Sequence, residues 1–204
     1  MTDGRGWIVE PGSTIQRQGS LHGDAVRVLT AWAAPDADQA DLRQEYLDFL
    51  AAEPDGMWRA CRAGHLTGSA LVVDPSRRRV LLTLHPKVGR WLQLGGHCEP
   101  GDRTMVAVAL REAVEEGGIA GVRIDPHPLN LDIHPIECVR GVPNRHLDVQ
   151  FLAIAPADAE PVISTESLDL RWWPMDALPP GSDEVGIASL VQRAAARLEY
   201  AAPR

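Results

Sequence analysis

The chain has 204 residues, 45% apolar and 24% charged, enough for one well-buried core or one domain with an added subdomain. Its formal net charge of −8 removes any long-range attraction to nucleic-acid duplexes or anionic membranes. The same charge repels a polyphosphate unless a metal ion or a local basic cluster reverses the sign at the site.

The chain begins with a polar, Gly-rich stretch that reads as a loosely held arm. "SLHGDAVRVLTAW" follows, with Ser20 as a candidate N-cap and Ala25, Val28, Leu29 and Trp32 at helical spacing. "AAPDADQ" interrupts it. A second amphipathic helix is expected over residues 39–52, carrying Leu42, Tyr46, Leu47 and Leu50, with Asp36 or Asp38 as its cap. These helices read as an N-terminal extension, residues 1–60, packed on a main domain of residues 61–204.

From His65 the periodicity changes. "LTGSALVVD" and "RRVLLTLH", joined by a turn with Pro and Ser, read as a β-hairpin. "RWLQLGG" reads as one further strand, ending in glycines. A helix follows and stops at Gly117 and Gly118, which adopt the left-handed conformation cheaply. "VRIDPHPLNLDIHPIECV" and "RHLDVQFLAIAP" read as two strands with a Pro/Asn turn between them, and "DLRWWPM" as a late strand. The closing helix, "EVGIASLVQRAAARLEY", turns Ile187, Leu190, Val191, Ala194 and Leu198 inward. Interleaved strands and helices give an α/β or α+β class, a mixed sheet covered by helices.

The three cysteines, Cys61, Cys98 and Cys138, are odd in number and widely spaced. That argues against a disulfide framework or a structural zinc site and fits a reducing cytoplasm. No segment approaches the ~18–20 apolar residues of a membrane helix, and the first residues have no apolar run of signal-peptide length. A soluble cytoplasmic protein with no membrane partner is expected.

The helix within "GGHCEPGDRTMVAVALREAVEEGGI" carries the chemistry. At ~100° per residue, Val106, Leu110, Ala113 and Gly117 fall on one side, with Glu112, Glu115 and Glu116 roughly opposite. Like charges at i,i+3 and i,i+4 cost a few tenths of a kcal/mol per pair, partly offset by Arg111 four residues before Glu115. A solvated acidic face is the plain alternative. The glycine loop entering the helix favours a site, because bare backbone approaches a ligand closely. Oxygen donors beside such a loop suit Mg²⁺ or Mn²⁺, and no His or Cys among the acidic positions favours Zn²⁺.

Residues 96–119 resemble a Nudix box, the signature of the Nudix hydrolase superfamily, G-x5-E-x7-R-E-U-x-E-E-x-G-U with U a bulky aliphatic. Gly96 matches the leading glycine, Arg111-Glu112 the R-E, Glu115-Glu116 the E-E, and Gly118-Ile119 the closing G-U. Asp102 stands where the family has its first glutamate, eight residues rather than seven precede Arg111, and Ala113 fills the aliphatic position. "RWLQLGGH" is similar to the strand leading into the box, with Leu94 where proline is common, and "SLDLRWWPMDALP" to a late strand and turn of the fold.

The resemblance implies an α/β/α sandwich. It implies divalent-metal-dependent hydrolysis of a pyrophosphate bond in a nucleoside diphosphate linked to another moiety. Glu112, Glu115 and Glu116 would be metal ligands, with the Gly96 carbonyl as a fourth. Glu115 or Glu112 would instead orient or deprotonate the water. Arg111 would hold a box glutamate, and Glu166 is the candidate for a carboxylate from outside the box. His97 is a candidate for phosphate or water contact, or else braces the loop, and Cys98 reads as a packing residue. His134, His146 and Asp148 lie on strands that could line a cleft or serve structure alone. Strand alternation sends one of Trp172 and Trp173 outward, with Trp173 the candidate for stacking on a base.

Two rivals share the fold. An isopentenyl diphosphate isomerase carries a catalytic cysteine before its glycine-histidine pair, where this chain has Gly95. A non-catalytic nucleotide sensor usually loses box glutamates that this chain keeps. Candidate substrates are ADP-ribose or a nucleotide sugar, (d)NTPs, and dinucleoside polyphosphates. Pro135 lies sixteen residues after Ile119, near where ADP-ribose hydrolases carry a proline. A monomer or homodimer is expected.

Overall fold

The computed structural model describes residues 6–8, 20–139 and 142–200. The expected arm falls largely outside the described residues; within it, Ile8 exchanges backbone hydrogen bonds with Ile124.

Helix α1 spans Leu21–Ala31, and the Ser20 hydroxyl accepts the Gly23 amide as its cap. Helix α2 spans Ala37–Ala52, and of the two candidate aspartates it is Asp36 that accepts the Gln39 amide. Leu29, Trp32, Tyr46, Phe49 and Leu50 are buried in one continuous cluster with the next helix and one face of the sheet. Burial of a side chain such as Leu29, Phe49 or Leu50 contributes about 1.5–3 kcal/mol, so this extension is docked on the core rather than loosely appended.

The sheet comprises β1 (His65–Val73), β2 (Arg79–Leu84), β3 (Trp91–Leu92), β4 (Leu94–His97), β5 (Arg123–Ile124), β6 (Asn130–Val139), β7 (Val142–Ile154) and β8 (Asp169–Pro174). Strands β1 and β7 run parallel, in register from His65↔His146 to Val73↔Ile154. The other edge of β1 is divided: β4 pairs with residues 67–70 and β2 with 72–73, both antiparallel. The other edge of β7 is divided between β6 and β5, and β8 pairs with β2. With helices α3 (Met105–Gly117) and α4 (Ile187–Tyr200), this is the mixed, helix-covered sheet of an α+β fold.

Alternation along β1 sorts its side chains. Leu66, Ala70 and Val72 join the cluster under α3, while Leu71 and Val73 join a second cluster with α4. All five inward residues expected on α4 are buried there. The α4 side does not stay apolar along the strand. Toward its start β1 puts buried His65, Thr67 and Ser69 on that face.

Three strand readings differ from expectation. "RWLQLGG" is two strands, because β3 pairs with β2 and β4 switches to β1. The run over residues 122–139 breaks into β5 and β6, where the Asp125 carboxylate accepts the His127 amide in a turn rich in proline. Pro143 and Asn144, expected in a turn, lie within β7, and residues 140–141 lie outside the described residues. Among the described residues, no helix is long and apolar enough to cross a membrane.

Candidate functional site

Helix α3 is set by caps at both ends. The Thr104 hydroxyl accepts the Ala107 amide, and the buried Asp24 carboxylate, from α1, accepts the Met105 amide at 2.9 Å. At the far end Gly118 has φ 63°, and a Cβ there would lie 2.7 Å from the Val162 carbonyl oxygen. Only glycine meets both conditions at low cost. The Val162 amide bonds the Gly117 carbonyl at 3.0 Å, so this helix end anchors the loop that carries Glu166. Met105, Val108, Ala109, Leu110 and Ala113 bury the apolar face.

The three glutamates are not equivalent. Glu112 and Glu116 turn toward β4, whereas Glu115 is 59% exposed. The Gly95 amide donates to Glu116 at 2.9 Å. A Cβ on Gly96 would lie 2.7 Å from the Glu112 carboxylate, so glycine is what allows the strand backbone this close. Burial pushes Glu112 up to about 6, against the pull of Arg111. Burial likewise pushes Glu116 up to about 7, against the Gly95 amide. The charge of Glu166 raises both, so the structure brings that loop carboxylate within electrostatic reach of the pair.

Arg111 joins the parts. Its guanidinium donates to Asp102 at 3.0 Å, to Glu112 at 2.8 Å, to Glu115 at 3.1 Å and to the His97 carbonyl at 2.8 Å. Asp102 also accepts the Glu99 amide at 2.8 Å. The aspartate at the variant position therefore closes the loop and anchors Arg111. The Thr104 cap stands just before α3, so Asp102 lies ahead of the first helical turn.

On the other side of β4 the structure assembles histidines. The rings of His65, His97 and His146 lie 4.7–5.1 Å apart, centre to centre, and His134 stands 5.3 Å from His146. Burial holds His65 and His97 down at about 4 and His146 at about 3, so all three are neutral at pH 7. The Asp132 carboxylate bonds the His134 ring and raises it. Beside them Asp148 is buried and accepts from Thr67, Ser69, Gln93 and Gln150. Burial raises Asp148 and these donors oppose the rise.

Cys98 is buried, its thiol pushed up to about 12 by burial, which leaves it a poor nucleophile. Trp173 stands apart from the glutamates, edge-on to Trp91 at 5.2 Å in the cluster under α4, while Trp172 packs toward the α3 side. A surface groove lined by Asp74, Arg78, Arg79 and Asp176 includes none of the glutamates.

Sequence reading missed His65 and Asp24. The alternation His65-x-Thr67-x-Ser69 was the available signal for a polar strand face. Nothing local marks Asp24 as the cap of a helix eighty residues on.

A helix of carboxylates held against a glycine strand by an arginine defines a class. The NUDIX domain model matches residues 65–194, and the chain belongs to the Nudix family and is a Nudix hydrolase. No curated protein matches the sequence. Similar solved structures include a NUDIX-family hydrolase from Clostridium perfringens, 22% identical with TM-score 0.48, covering 67% of this chain and 96% of its own. An Ap4A hydrolase from C. elegans is 20% identical with TM-score 0.48, covering 66% and 97%. The NUDIX domain of Shewanella oneidensis NrtR, complexed with ADP ribose, is 21% identical with TM-score 0.49, covering 72% and 97%.

Proposed function

We propose that the chain is a nucleotide pyrophosphohydrolase that uses Mg²⁺ or Mn²⁺ to cleave a pyrophosphate bond in a nucleoside diphosphate linked to another moiety. ADP-ribose, nucleotide sugars and (d)NTPs are the substrate classes it would take. The observation that carries this reading is the pair Glu112 and Glu116, both partly buried against the glycine backbone of β4 and both with raised proton affinity. Acids crowded this way fit a hard divalent cation, which relieves their repulsion and prefers oxygen donors. Glu112, Glu115, Glu116, Glu166 and the Gly96 carbonyl would hold it. When bound, the cation neutralises phosphate charge and lowers the pKa of an attacking water.

The remaining roles belong to the chain. Arg111 fixes Glu112 and Glu115 through its hydrogen bonds, so the acids keep their places without paying for mobility. Glu115, the exposed member, or else Glu112, would instead orient or deprotonate the water. His97 and His146, on the far side of β4, are candidates to meet the polar groups of the substrate. Phosphoryl transfer asks mainly for such positioning and charge stabilisation.

The test is incubation with Mg²⁺ or Mn²⁺ and a panel of ADP-ribose, nucleotide sugars, (d)NTPs and dinucleoside polyphosphates, reading nucleotide, phosphate and pyrophosphate release. Metal-dependent release from one class is expected. Tight binding of a panel member with no turnover would overturn the reading in favour of a sensor.

A further inference from the structure

The imidazoles of His65, His97 and His146 come from three different strands and converge because of register. His65 stands beside His146 in the parallel β1–β7 pair, and β4 sets His97 opposite Thr67, on the same face. One ligand nitrogen from each lies within 4.8 Å of the others. Nε2 of His97 is buried without a hydrogen-bond partner among the described residues.

We propose that His65, His97 and His146 form a site for a transition-metal cation of the Zn²⁺ kind, separate from the carboxylate cluster. Three imidazoles around one tetrahedral ion, with metal–nitrogen bonds of ~2.0–2.1 Å, place their ring centres ~5.2 Å apart. The rings stand 5.1, 4.7 and 4.9 Å apart, near that spacing, and the nitrogens, within 4.8 Å of one another, would draw together around an ion. Three protein nitrogens leave a fourth position for water or a phosphate oxygen, the pattern of an open zinc site. His134, fixed by Asp132 and packed edge-on to His146, supports that ring from outside.

Ligand chemistry sorts the two sites. Imidazole suits Zn²⁺, Co²⁺ and Ni²⁺, whereas carboxylates and carbonyls suit Mg²⁺ and Mn²⁺. The sites share β4: Gly96 faces Glu112, and the next residue, His97, faces the histidines. Arg59 is the opposing charge, acting on all three imidazoles. Its side chain is exposed, so its effect is screened.

Co²⁺, a visible stand-in for Zn²⁺, tests the proposal with excess Mg²⁺ present to occupy the carboxylates. One equivalent should bind per full-length chain with visible absorption of a nitrogen-ligated, low-coordinate ion. Binding should survive Glu112→Gln with Glu116→Gln. It should weaken in His97→Gln and in His146→Gln by more than the ~10–100-fold that loss of an outer-shell partner costs. Arg59→Ala should tighten it about 2- to 5-fold, the scale of one exposed charge. X-ray absorption on the wild-type Zn²⁺ form should show three imidazole nitrogens, a readout independent of whether the histidine variants fold. An all-oxygen shell, absence of stoichiometric binding, or loss in the glutamate variant with retention in the histidine variants would overturn it.

Discussion

The two sides of β4 are built in opposite ways. On the α3 side, every residue of the arrangement except Glu166 comes from one stretch, residues 95–116, where helix periodicity and a glycine strand set the spacing. On the other side, His65, His97 and His146 are scattered along the chain and meet only through sheet register. They differ in charge state as well. Glu112 and Glu116 are crowded and have gained proton affinity, while the three imidazoles have lost it and are neutral at pH 7. Glycine backbone is what keeps them a strand's thickness apart. Local sequence builds the charged side, and topology builds the neutral one.

The sharpest way to break this contrast is to neutralise the charged side alone. Glu116→Gln preserves shape and the acceptor for the Gly95 amide but removes the charge. Turnover should fall at least ~10²-fold, the scale of losing one preorganised electrostatic contact. Far-UV circular dichroism should be unchanged, and the metal-free protein should melt at an equal or higher temperature, since a costly buried charge is gone. Near-wild-type turnover would remove Glu116 from the metal cage.

The contrast also explains what was legible in the sequence. The box could be read because its residues are contiguous: R-E-x-x-E-E fixes which side of a helix each acid occupies. The hairpin of β1 and β2 and the inner face of α4 follow from periodicity and stood as expected. The histidine group could not be read in this way. Its existence needs the parallel β1–β7 pairing, and no local pattern specifies which strand lies beside which. The same limit hid the role of Asp102. Its loop bond to Glu99 is local, but its grip on Arg111 depends on how the loop folds back on α3. "RWLQLGG" divides at Gln93 because β3 and β4 find different partners, which apolar content alone does not encode.

Opposite shifts predict opposite responses to pH in the metal-free protein. Glu116 is raised from 4.5 to about 7, so the folded state holds its proton more tightly than the unfolded chain. Its contribution to stability is therefore full below about 4.5 and lost as pH rises toward 7. The histidines are lowered from 6.5, so the unfolded chain takes up protons first. Their contribution is present above 6.5 and lost as pH falls toward about 4. Melting temperature measured from pH 4 to 8 should separate the two. Glu116→Gln should flatten the decline on the neutral side, and His146→Gln the decline on the acid side. If one variant flattens both, the two sides act as one titrating unit and the contrast fails.

The smallest expected effect concerns a residue outside both sides. Asp24 reaches from α1 to cap α3 through the Met105 amide and also pairs with Arg27. Asp24→Ala should cost about 1 kcal/mol, the usual price of a lost N-cap, and lower the melting point of a chain this size by ~2–4 °C. The capped turn lies two turns before Glu112, and Arg111 and the Gly95 amide hold the acids independently of it. Turnover should therefore stay within about twofold of wild type, as for a cap acting on stability alone. A tenfold fall in turnover at unchanged melting temperature would show instead that the N-terminal helices set the position of α3. The carboxylate side would then depend on long-range topology, as the histidine side does.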